Sequence, residues 1–260
     1  MRDLMKADLR RVFRKHIYWI IPSVILIMKL SSIAVTLILQ YSADFIPVLS
    51  ILAKNKNAGI VSFSTTLETL QFALSLVIFL VLFTDDFKSM TMIGMIGYGM
   101  SRKKLVITKF IDSVVLSVIF YIIMLPLIFL LFAVFKEPLV GINAEFVLLT
   151  TFFAILKTIA NITIAALVLY VTNNIPFGLF SVLILQIIPI GLTLMTQSPL
   201  ISNLHIDRYY MDGMFNLALT DFFFDLVPEG ILMTLLCVFI YIGCVLAGTI
   251  LYFDKKELDF

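Results

Sequence analysis

Hydrophobic positions in this chain come in long unbroken blocks rather than in alternation. Six such blocks stand out, 17–39, 66–84, 105–135, 144–171, 175–196 and 230–253. Each reaches the roughly 18–20 apolar residues with which a helix crosses a hydrocarbon core about 30 Å thick. Within that core only a helix or a closed barrel satisfies its own backbone hydrogen bonds. Continuous apolar runs are not the alternating pattern of a barrel strand, so the expected fold class is an all-α integral membrane protein with six transmembrane helices. Composition agrees: 61% of residues are hydrophobic and 14% are charged, with a mean hydropathy of +1.08. Soluble domains lie near ~45–50% and ~25%.

The polar stretches between the blocks define the rest of the architecture. Residues 1–15 mix Leu4, Met5, Leu9, Val12 and Phe13 with six basic side chains, which predicts an amphipathic interfacial helix with its Lys and Arg toward lipid phosphates. Block 17–39 is too long for a signal-peptide core and is read as a retained first span. The third block exceeds the length of one span, so its first turns, with Lys109 and Asp112, are expected in the interface beyond the membrane, and Pro126 is expected to kink it. Thr172-Asn173-Asn174 before Pro176 predicts a tight hairpin between the fourth and fifth spans, and Pro189 and Gly191 a bend in the fifth. Segment 197–229 alternates apolar clusters with acids and predicts short outer helices before the sixth span. No repeat or soluble domain interrupts the chain, so 1–260 reads as a single unit.

Charge asymmetry orients it. Basic residues gather in the N-terminal segment, in 85–104 and in the tail, whereas the remaining loops are acidic, which places both termini and the 85–104 segment in the cytoplasm of a multi-pass cell-membrane protein. No continuous basic patch suits nucleic acid. Cys237 and Cys244 are seven apart on one helix, separated by about 10 Å of rise, too far to pair with each other. His16 and His205 lack ligand companions, so no metal site is expected.

The most informative stretch is DDFKSMTMIGMIGYGMSRKK, residues 85–104, a charged island between the second and third spans. A short helix over 85–96 begins on the carboxylates Asp85 and Asp86, breaks at Gly97-Tyr98-Gly99, and is followed by Ser101-Arg102-Lys103-Lys104. With its flanks, FTDDFKSMTMIGMIGYGMSRKKLVITKFI resembles the permease subunits of type-2 ATP-binding-cassette exporters, in which a carboxylate-led helix follows the second span and a Ser-Arg pair precedes the third. Met90 departs from that pattern, where a glycine is expected. The resemblance extends to the order of elements over the full chain. It implies a cytoplasmic coupling helix, with Asp85, Asp86, Lys88, Tyr98, Ser101, Arg102 and Lys103 meeting cytoplasmic ATPase subunits. It also implies a second permease copy or homologue as partner in the lipid bilayer. The chain has no G-x-x-x-x-G-K-[ST], because Met100 stands where the phosphate-binding Lys would be, so ATP and Mg are expected on the partner and no cofactor on this chain.

Four polar residues fall near the centres of spans: Lys29, Lys157, Asn161 and Gln186. A midplane lysine costs about 2.5–3.5 kcal/mol on insertion scales, so each is expected to meet water, a carboxylate or a ligand. They are read as a transport pathway for an amphipathic or hydrophobic cargo such as a peptide, an antimicrobial or a lipid. The competing reading is structural lysines satisfied by Ser31, Ser32, Asn161 or backbone carbonyls. Gly243, Ala247 and Gly248 predict a helix-packing seam. An intramembrane enzyme is disfavoured, since no Ser/His, paired-Asp or HExxH constellation is present and no catalytic residue is assigned. The remaining alternative is a secondary transporter or a membrane sensor or immunity protein that works without an ATPase.

Overall fold

The computed structural model describes residues 2–14, 16, 23, 27, 58–88, 91–134, 143–196, 214–215 and 229–255. Helices are its only regular elements: α1 (Arg2–Arg14), α2 (Ala58–Phe79), a π-helical turn (Leu80–Thr84), α3 (Asp85–Lys88), α4 (Thr91–Gly97), α5 (Arg102–Val134), α6 (Ala144–Thr172), α7 (Ile175–Thr196) and α8 (Glu229–Lys255). Among the described residues four stretches are long and apolar enough to cross a membrane: Thr66–Thr84, Arg102–Leu130, Ala144–Thr172 and Ile231–Lys255. This is a membrane-embedded helical protein. The predicted fifth span forms as α7, whose 22 residues match its bounds and run through Pro189 without a break. Most of the predicted first span, Lys29 included, and most of the outer segment lie outside the described residues; in the latter, Phe215 stacks on Phe153 at 4.7 Å.

Helix α6 is central, packing against α2, α5, α7 and α8. It is apolar all round and buries seventeen side chains, as a helix enclosed by neighbours must. Aromatic contacts fix the direction of each helix. At one end Phe63 of α2 lies 5.8 Å from Phe129 of α5 and 6.1 Å from Phe146 of α6. At the other, Tyr170 of α6 meets Phe83 at 6.2 Å, Phe87 at 5.8 Å and Phe253 of α8 at 4.6 Å. The end of α2, the segment 85–101, the α6–α7 hairpin and the end of α8 therefore share one face of the bundle. Helix α1 joins them there by packing on α5 and the π turn.

Two sharp reversals have local causes. Met100 N–H donates to Met95 O at 3.1 Å and Gly99 N–H to Ile96 O at 2.9 Å, the pair of bonds that ends a helix in a Schellman motif, with Gly99 at φ +90°. Asn173 ends α6 in the left-handed region at φ 53°, its N–H donating to Leu169 O at 2.8 Å. Asn tolerates that conformation, which explains the predicted hairpin.

Inside the bundle, hydroxyl groups bond back to the carbonyl four residues earlier: Ser117 to Ser113, Thr158 to Ala154, Thr163 to Ile159 and Thr249 to Val245. Each hydroxyl is thus satisfied within its own helix. Gly178 is where α7 approaches α2 and α6 most closely, since a Cβ there would stand 2.4 Å from the ring tip of Phe79 and 3.2 Å from the Ala165 carbonyl oxygen. Phe79 is fully buried and stacked on Phe83 at 5.5 Å, so its ring has little room to give. Gly178→Ala is expected to destabilise by about 1–3 kcal/mol through overpacking, read as a lower midpoint of thermal unfolding. Gly191→Ala, which has no neighbour within 4 Å, is the control and should not shift it.

Among the described residues nothing packs on the seam predicted on the last span. A Cβ at Gly243 or Gly248 meets nothing within 4 Å, and α8 turns Leu232, Leu236, Phe239 and Ile240 outward among the described residues.

Candidate functional site

Five charged residues from three elements converge where α1 crosses the bundle. From α1, Asp8 and Arg11 stand three apart on its inward face. From α3 comes Asp86. From the first turns of α5 come Lys109 and Asp112, again three apart. Lys109 Nζ donates to Asp8 Oδ2 at 2.7 Å and also pairs with Asp86. Arg11 donates to Asp86 Oδ1 at 2.5 Å, to Asp8 Oδ1 at 3.0 Å, and reaches the Leu82 carbonyl of the π turn at 3.5 Å. The cluster is buried: Asp8, Asp86, Lys109 and Asp112 are 4, 2, 1 and 0% exposed.

This corrects two expectations. Lys109 and Asp112, expected to be exposed in the interface, are both enclosed by the protein. Nor do all the basic groups of α1 face lipid phosphates. Lys6, Arg10 and Arg14 are exposed, but Arg11 turns inward because two carboxylates stand there. A buried guanidinium and ammonium are held only when paired and hydrogen-bonded.

The predicted 85–96 helix is two short helices, α3 and α4, and its residues have divergent roles. Asp86 is a structural anchor. Ser101 caps α5, its Oγ accepting from Lys104 N–H at 3.4 Å. Arg102 closes the end of α8: its Nη1 donates to the carbonyl oxygens of Phe253 and Asp254, both at 3.3 Å, with the guanidinium 6.0 Å over the Phe253 ring. Those carbonyls have no partner within their own helix, and the negative end of the helix favours a cation. Lys103 pairs with Asp254 at 3.2 Å in an exposed bridge of small energetic weight. Asp85 and Lys88 lie on α3, their side chains outside the described residues. Tyr98 projects outward, at 96% exposure on the tip formed by the Schellman turn.

Of the predicted pathway residues, Asn161 is buried and Lys157 half-buried, one turn apart on α6. The side-chain N–H groups of Asn161 and Gln186 are buried without a hydrogen-bond partner among the described residues. No group of three His, Cys, Asp or Glu side chains among the described residues is arranged to hold a metal ion.

The cluster carries a pH dependence. Burial alone would raise the carboxyl of Asp86, but the hydrogen bond from Arg11 and the charge of Lys109 outweigh it and hold this group below the usual carboxylate range. A carboxyl depressed in the folded state contributes stability above its unfolded pKa of about 3.9, and that contribution is lost as pH falls through the folded value. Thermal stability in detergent should therefore decline on acidification below about pH 5, and Asp86→Asn should show a shallower decline from a lower starting point.

No family model matches this chain, and neither does a curated protein or a solved structure.

Proposed function

We propose that this chain is the membrane-spanning permease subunit of an ATP-driven exporter, moved by a separate cytoplasmic ATPase and passing an amphipathic or hydrophobic cargo such as a peptide or lipid. In this reading the chain is a multi-pass cell-membrane protein with both termini in the cytoplasm, paired with a second permease copy or homologue. ATP and Mg belong to the partner, and no catalytic residue is assigned to this chain.

The observation that carries the reading is the tip at Tyr98 and its attachments. A large aromatic side chain standing 96% exposed on a charged, water-facing turn is a poor lipid anchor and a good docking knob. Its base is fastened to α5 through Ser101, to α8 through Arg102, and, through Asp86 of the same segment, to α1 and α5. A push on the tip is delivered to three long helices as one rigid displacement, which is what a coupling element requires.

The test is co-purification with a cytoplasmic ATP-binding-cassette ATPase co-expressed with the chain. Tyr98→Glu should abolish capture of the ATPase and the stimulation of its hydrolysis by cargo, with the thermal midpoint of the permease unchanged. Retained capture would remove the coupling role from this tip. Asp86 and Arg102 make poor probes, because their loss damages the bundle itself.

A further inference from the structure

We propose that the cluster between α1, α3 and α5 is a proton-binding site, with one proton held on Asp112 where it faces Asp8.

The inference rests on the burial of Asp112 and on the described groups gathered around it. Among the described groups three carboxylates, Asp8, Asp86 and Asp112, are matched by two cations, Arg11 and Lys109. Both cations are engaged with Asp8 and Asp86. Both carboxyl oxygens of Asp112 are buried and without a hydrogen-bond partner, and the residue is 0% exposed. A bare carboxylate is costly to bury without a donor to stabilise it. Of the three acids it is the one that gains most from taking up a proton. One proton, drawn from solvent and returned to it, brings the count to zero and supplies the O–H donor that the pair of acids lacks.

A metal ion does not fill this role, since no three ligating side chains converge among the described residues. Among the described residues, Tyr170 of α6 stands near Asp86, and Lys6 and Arg10 of α1 face solvent. Loss of the proton would leave one net negative charge between α1 and α5 and would loosen α1 from the bundle.

Infrared difference spectroscopy on the full-length chain in lipid vesicles tests this, without reference to any ATPase. At neutral pH the wild-type spectrum should carry a protonated-carboxyl C=O band that disappears on alkalinisation and is absent from Asp112→Asn. Asp8→Asn should also lose the band at neutral pH, because two carboxylates then balance two cations and Asp112 ionises. A merely structural Asp112 would not respond to a change at Asp8, and if Asp112→Asn fails to fold, Asp8→Asn still decides the matter. The proposal is overturned if the wild type lacks the band, or if the band survives in either variant. It is equally overturned if the band is absent and thermal stability depends on sodium, which would identify a cation site instead.

Discussion

Lys109→Met should lower the stability of the folded chain by about 3–5 kcal/mol, a shift of roughly a hundredfold to several thousandfold in the folding equilibrium. The side chain is 1% exposed and its ammonium is shared by Asp8 and Asp86. Methionine fills nearly the same space, so packing survives while two buried carboxylates are left with Arg11 as their remaining cation. The cost is thus that of an uncompensated charge, not of a cavity. Thermal unfolding in detergent measures it. The mechanism is separable from loss of packing by adding Asp8→Asn, which removes one orphaned charge and should restore part of the stability. A double-mutant cycle on Lys109 and Asp8 should give coupling well beyond the ~0.5 kcal/mol seen for independent sites. If the two changes simply add, the cluster does not act as a unit.

Lys157→Met is expected to have the opposite signature, with cargo transport lost and stability kept or raised. At the centre of a span a lysine costs about 2.5–3.5 kcal/mol on insertion scales, and an apolar side chain of similar length removes that cost. A residue retained for architecture would fail in both assays. A residue retained to meet an anionic group on cargo would fail in transport alone. Asn161, one turn on and buried with its amide N–H groups unbonded, marks the same face of α6 as the polar one. Lys29→Met should behave in the same way, and reconstituted vesicles with an energised partner provide the measurement. Transport surviving both changes would end the pathway assignment.

Much of the bundle is legible in the hydrophobic blocks. Blocks 66–84, 144–171 and 230–253 fall within α2 with its π turn, α6 and α8, because a span must be both long and apolar, and that is a local property of sequence. The α6–α7 hairpin was equally legible, since Asn at the reversal has a local conformational cause. The charged cluster was not. Asp86 was visible as an acid on a loop, but its partners lie 75 residues away, at Arg11, and further along at Lys109. No periodicity pairs residues so distant. A weaker signal was present in two opposite-charge pairs at three-residue spacing, Asp8 with Arg11 and Lys109 with Asp112, the second embedded in an apolar run. Such a pair inside a span is costly unless it has partners, and it therefore announces a buried counterpart. Ser101 and Arg102 were singled out through a resemblance, whereas the geometry gives each a local task, at the start of α5 and the end of α8. Tyr98 stood out only as part of a break, and its outward projection follows from the positive φ of Gly99.

The widened turn at Leu80–Thr84 has a bearing on how this chain can change over time. Because each residue of an α-helix advances the next by about 100°, the one extra residue accommodated by a π bulge sets the azimuth of everything after it. Excising a single amino acid from that turn would regularise the spiral and swing Asp86 about a quarter-circle away from Arg11 and Lys109. Length in this short stretch is thereby locked to the identity of residues scores of positions distant, so descendants of this sequence can vary its side chains far more freely than they can shorten it.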